Sequence, residues 1–155
     1  MVNVVYSFQL KRSIHSVNSE SGHIRIGDVF YVDFAGSGSV QNGRRPAVVF
    51  QNNVGNKYSP NVTVFPLTSK IKKQNQPTHV IVSTESGLPR DSMVLCENPI
   101  CISKERLGTY ITTLSTETMS MIAEASILAS GAISYMEPNV LYSVWKRAQE
   151  MNAGL

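Results

Sequence analysis

The sequence predicts a mainly β domain of the α+β class: a small antiparallel barrel with a C-terminal helix and an extension at each end. Three observations predict it. Short segments rich in β-branched and aromatic residues recur between turn signals at spacings of about 8–15 residues. The hydrophobic period then lengthens to a helical one near Ser115. The 155 residues, 42% of them apolar, suffice for one buried core and are too few for two ordinary domains.

Residues 1–23 have no sustained period and end in the polar run SVNSESGH, so they read as an extension joined by a flexible segment, with VNVVYSF as one possible added strand. The core domain begins at Ile24 and runs to Ile133. Asp28–Phe34 (DVFYVDF) alternates as a strand, with Val29, Tyr31 and Asp33 on one face and Phe30, Val32 and Phe34 on the other. AGSGSVQNG is a Gly/Ser loop, and Pro46–Gln51 (PAVVFQ) is a second strand. NNVGNKYSPN reads as a turn-rich connection to a third strand, Val62–Leu67, whose Pro66 predicts an edge or an exit from the sheet. The lysine loop SKIKKQNQP leads to Thr78–Ser83, then Ser92–Cys96, then a short strand at Ile100–Ser103. Ser115 is a good N-cap with Glu117 in the first turn, opening a helix over Thr116–Ala132 through Ile122, Ala125, Leu128, Ala129 and Ala132. Residues 134–155 form a second extension. There Pro138 opens a helix with Leu141, Val144, Trp145 and Ala148 on one face, a stripe that must pack on this domain, a second subunit or a partner.

Charge is the informative part of the composition. The net charge of +3 and pI near 9.0 are weak evidence for an anionic partner. Its distribution says more, because residues 1–75 carry a net +6 and residues 76–155 a net −3. No acid occurs from Phe34 to Thr84, a stretch holding Arg44, Arg45, Lys57, Lys70, Lys72 and Lys73. No apolar run approaches the roughly 20 residues of a membrane helix, and the basic pair Lys11 and Arg12 follows rather than precedes the N-terminal apolar residues. The expectation is a cytoplasmic protein without a membrane partner. Cys96, Cys101 and three scattered histidines lack metal-site spacing. If they share a strand, an offset of five sets the cysteines on opposite faces, so they read as small buried hydrophobes without a disulfide.

Several segments in order carry a resemblance: RIGDVFYVDF, GSGSVQNGRRPAVVFQN, FPLTS, PTHVIV, RDSMVLCEN and ISKERLG, followed by the helix. Together they resemble the MazF/PemK/Kid family of toxin endoribonucleases of type II toxin–antitoxin systems, over about 70% of the chain. The resemblance implies an SH3-like barrel, usually a homodimer. It implies cleavage of single-stranded RNA at a short sequence, with no metal and no cofactor, and an antitoxin whose flexible tail blocks the RNA groove.

Metal-free cleavage needs a deprotonated 2′-hydroxyl, stabilised phosphorane oxygens, a protonated leaving group and an in-line phosphate. Arg45 of RRP matches the family's catalytic arginine, and its permanent charge suits electrostatic stabilisation rather than base catalysis. Pro46 biases it to an extended backbone, so Arg44 points elsewhere and is left a phosphate contact. Thr68 of PLTS matches the second catalytic position, and Ser69 extends its contact. Tyr31 is a candidate stacking platform near the groove, with core packing an equal reading. Ser39, Gln41, Ser92 and Asn98 match base-contacting regions, and Lys70, Lys72 and Lys73 are candidates for backbone attraction. Relatives often carry Glu in the glycine run, where this chain has Val40. His79 and Glu97 are then the titratable candidates, His79 for proton transfer and Glu97 more as a base-reading acceptor or structural partner. Two other readings stay open: a non-catalytic RNA-binding barrel, motivated by Val40, and a CcdB-like gyrase-poisoning toxin, which has slight support from Trp145.

Overall fold

Alternating burial in Asp28–Ala35 builds the first strand, β1, of the computed structural model, which describes residues 22–37 and 41–154. The reading of residues 1–21 therefore lies outside the described residues. Chain order continues with β2 (Asn42–Val49), α1 (Asn53–Tyr58), β3 (Asn61–Thr68), β4 (His79–Val82), β5 (Ser92–Leu95), β6 (Ile100–Ser103), β7 (Leu107–Thr113), α2 (Thr116–Ser130) and α3 (Pro138–Ala153). The strands form one antiparallel sheet in the order β4-β5-β3-β2-β1-β7, with β6 also on β3. The Thr112 hydroxyl of β7 donates to the Ser86 carbonyl in the β4–β5 connection at 2.8 Å, so the far ends of the sheet meet across the curve.

The sheet has apolar residues on both faces. Val29, Val48, Phe65 and Leu67 join β4, β5 and α2 in one cluster, into which Ile122 and Ala125 plug. Val32, Phe34, Ala47, Val49, Val62 and Val64 form the second with Ile102, and Phe30 packs against it. The two faces read from β1 are those the clusters use.

Four expectations are corrected. Pro66 is fully buried inside β3, not at an edge. It sits where β3 changes partner: residues 61–64 pair with β6, residues 67–68 with β5, and neither ladder reaches 65 or 66. A residue without an N–H costs the sheet little there. NNVGNKYSPN is not all turn, because Asn52 caps α1 by accepting from the Gly55 N–H at 2.9 Å and the buried Asn56 amide donates to the Gln51 carbonyl at 2.9 Å. α2 stops at Ser130 because Gly131, at φ +69, caps it in the left-handed region, and Leu128 on α2 is 48% exposed rather than core. Cys96 follows β5 and is buried, whereas Cys101 lies on β6 and is exposed. β7 was not legible in the sequence at all. α3 forms as expected but buries none of its residues and touches α1.

Candidate functional site

The β2–β3 ladder sets Ala47 opposite Pro66 and goes no further. Two residues on in each strand, the same register brings Arg45 opposite Thr68. There the strands are unpaired, and a groove of about 550 Å³ opens. Its lining includes Tyr31, Arg44, Arg45, Pro46, Thr68, Ser69, Lys70, Arg90 and Ser92. Among the described residues, four lining side chains are cationic and none is a carboxylate or an imidazole.

Each side chain is placed by a local device. Arg45 starts opposite Val32 on β1, and its guanidinium donates from Nη1 to Gln41 Oε1 and from Nη2 to the Asn42 carbonyl, each at 2.6 Å. Its Nε–H is buried without a partner. Gly43, within β2, holds φ +79 between Asn42 and the arginines, a conformation open to glycine, and its N–H is held by Asn42 Oδ1 at 2.8 Å. Arg44, opposite Asp33, lays its guanidinium 4.9 Å from the Tyr31 ring centre. Arg44 thus lines the same groove as Arg45, contrary to the expectation from strand alternation, because the pairing with β3 has ended and both faces of β2 reach the opening. Tyr31 is half-buried with one ring face under the Arg44 guanidinium.

Thr68 ends β3 in a hydroxyl turn: its Oγ1 accepts from the Lys70 N–H at 3.2 Å. The oxygen is engaged as an acceptor, which leaves the hydroxyl proton to donate. Ser92 is buried, and its hydroxyl donates to the Arg90 carbonyl at 2.9 Å, shaping the turn that presents Arg90. Arg90 lines the groove too, although the sequence reading of RDSMVLCEN singles out only Ser92, Glu97 and Asn98. The signal was the arginine two residues before a strand that pairs beside Thr68 (Thr68 opposite Met93).

The remaining candidates lie elsewhere. Ser39 and Val40 fall outside the described residues. Gln41 reaches the site through Arg45. Lys72 is exposed in the loop beyond the groove lining. His79 and Glu97 bind each other, Nε2 to Oε1 at 3.0 Å, while His79 Nδ1 lies 3.1 Å from the Lys73 carbonyl. The His79 side chain is only 7% exposed. Asn98 is in the turn after β5, where its N–H donates to the Leu95 carbonyl. Beside Glu97, burial first and the Glu97 charge second push the Cys96 thiol up to about 12.

A curved antiparallel β domain with a cationic, carboxylate-free groove between strand ends belongs to the class that receives a polyanion. Comparison with known proteins makes the assignment particular. The family described as PemK-like, MazF-like toxin of type II toxin–antitoxin system matches residues 25–128. The chain is 38% identical over 114 residues to Endoribonuclease EndoA of Bacillus subtilis (strain 168), covering 72% of this chain and 98% of that one. Among solved structures it is similar to an endoribonuclease in complex with its cognate antitoxin from Mycobacterial species, at 25% identity and a TM-score of 0.60 over 70% of this chain and 95% of that one. It is similar also to Mycobacterium tuberculosis toxin MazF-mt6, at 26% identity and a TM-score of 0.58 over 67% and 96%. The chain belongs to the PemK-like, MazF-like toxin family of type II toxin–antitoxin systems. The described residues contain no helix long and apolar enough to cross a membrane.

Proposed function

We propose that this protein is a toxin endoribonuclease that cleaves single-stranded RNA at a short sequence, acts as a homodimer in the cytoplasm, needs no metal and is neutralised by a cognate antitoxin. The single observation that carries the mechanism is the convergence of Arg45 and Thr68 at the end of the β2–β3 ladder, in a groove lined by four cations and no acid. The scissile phosphate lies between them. The 2′-hydroxyl oxygen attacks phosphorus as its proton passes to solvent water, and the bond from phosphorus to the 5′-oxygen breaks as that oxygen takes a proton from water, leaving a cyclic 2′,3′-phosphate and a 5′-hydroxyl. Arg45 offers fixed positive charge and fork geometry to the phosphorane oxygens. The Thr68 hydroxyl donates to one of them, since its oxygen already accepts from Lys70. Arg44, Lys70 and Arg90 draw in the backbone, and Tyr31, Ser69 and Ser92 are where the strand is read. Residues 24–133 form the functional unit, with residues 1–23 and 134–155 as extensions.

The test is cleavage of a mixed RNA pool by purified protein in EDTA. Wild type cleaves, and Arg45→Ala and Thr68→Ala each reduce the rate by about 10²-fold or more, the scale of losing one transition-state donor. RNA left intact both in EDTA and with Mg²⁺ refutes the proposal. RNA retained on a filter without products supports the binding barrel instead, and loss of supercoiling by gyrase supports the gyrase poison.

A further inference from the structure

Gln41 has a second use that base contact does not explain, and the inference rests on the proposed cleavage. A guanidinium on a flexible stem stabilises a transition state only if its plane is fixed before the phosphate arrives. Arg45 has five N–H groups. Two of them are engaged at 2.6 Å, one by the Gln41 side chain and one by the Asn42 carbonyl. Its Nε–H is buried and finds no partner, so nothing holds the group from that side. The Asn42 carbonyl belongs to the backbone of β2, three residues before Arg45 and paired there with β1. Among the described residues Gln41 therefore supplies the side-chain contact that sets the guanidinium, and it does so without a charge that would neutralise Arg45. We infer that Gln41 is a positioning residue, orienting Arg45 Nη1 so that the remaining donors face the scissile phosphate.

A carboxylate in its place would hold the same donor while cancelling part of the charge. An amide holds it and leaves the field of the groove intact, which is what a cationic transition-state stabiliser requires. Gln41 acts through Arg45 in this reading and does not touch the reacting atoms.

The experiment uses the full chain and a short single-stranded RNA carrying the motif mapped with wild type, in EDTA. Gln41→Ala is expected to lower kcat by about 10–100-fold with KM and the cleavage motif unchanged, the scale of a misplaced catalytic group. Gln41→Glu keeps an acceptor at the same reach and is expected to recover part of that loss while staying below wild type, because its charge offsets that of Arg45. On an Arg45→Lys background, where no fork remains to orient, Gln41→Ala is expected to add less than about threefold, since groups acting as one unit are not additive. An unchanged kcat, a relaxed motif, a raised KM or full additivity overturns the inference. Nitrogen NMR of the arginine side chains gives a readout free of activity: the Arg45 Nη signals are separate in wild type and merge in Gln41→Ala. Inert wild-type protein would refute the proposed function, and the NMR result would still decide the role of Gln41.

Discussion

Gly43→Ala separates backbone presentation of Arg45 from fold stability. Gly43 holds φ +79, and a Cβ there would meet nothing within 4 Å. The cost is therefore conformational alone. An L-residue in the left-handed region costs about 1–2 kcal/mol, offset in part by the lower entropy of the unfolded alanine chain, so the net loss is about 1 kcal/mol. For a chain of this length that lowers Tm by about 2–4 °C. Gly131 provides the matched control, with φ +69, open space for a Cβ and a position capping α2 away from the groove. Gly131→Ala is expected to cost the same stability. The two differ in activity. If the alanine moves the backbone away from φ +79, the Asn42 carbonyl leaves Arg45 Nη2, and a shift of about 1 Å in a catalytic group costs up to about 10²-fold. The assay is thermal unfolding beside RNA cleavage, each at a temperature where all variants are folded. Equal activity losses in both variants, or a destabilised Gly43→Ala with wild-type kcat, refute the reasoning.

Arg90→Ala is expected to weaken RNA binding for all sequences alike and to flatten the log–log salt dependence by about 0.7, one phosphate contact on a single strand; titrations at several salt concentrations measure it. Iodoacetamide at pH 8 is expected to label Cys101 in the native protein and both cysteines after denaturation, because the Cys96 thiol is buried and pushed up to about 12. The same shift predicts lower stability at alkaline pH: the unfolded thiol loses its proton near its ordinary value of 9.0 while the folded one keeps it, so the contribution is whole below pH 9 and declines as the pH rises toward 12. Ile122→Ala is expected to cost about 2–5 kcal/mol in urea unfolding, because Ile122 is fully buried where α2 plugs the first cluster. Val40→Glu restores the carboxylate frequent in relatives and is expected to add an ionisation to the pH–rate profile that wild type lacks.

Segments whose side chains alternate across two apolar environments were legible because the period of a strand is fixed by its pleat. Val32 and Phe34 against Val29 in β1, and Val80 and Val82 in β4, are of this kind. β7 was not, because LGTYITT has no buried residue: it is half-exposed and follows a Lys-Glu-Arg turn. α1 is six residues long, too short for a helical period, and depends on the Asn52 cap and the Asn56 amide rather than an apolar face. Pro66 misled because a proline reads as an edge in one dimension. Only the pairing of β3 with two successive neighbours shows a buried place that asks for no donor.

The site was legible where chemistry and register coincide. Arg45 and Thr68 lie two residues beyond the Ala47–Pro66 pair that ends the β2–β3 ladder, and continuing that register brings together residues far apart in sequence. The proton carriers were not legible. His79 and Glu97 looked available because sequence shows residue types and not their engagements. Each ring nitrogen of His79 faces an acceptor, the Lys73 carbonyl on one side and the Glu97 carboxylate on the other. That arrangement ties the start of β4 to the end of the lysine loop, where Lys73 itself sits at φ +51. It is a clasp for the loop that carries Lys70, and it stands outside the groove lining. The acid-free stretch from Phe34 to Thr84 then has a physical meaning. A carboxylate among Arg44, Arg45, Lys70 and Arg90 would pair with one of them and take its place as a partner for phosphate. Among the described residues the groove lining carries four cations and no acid, the arrangement that the proposed contact with an RNA backbone requires.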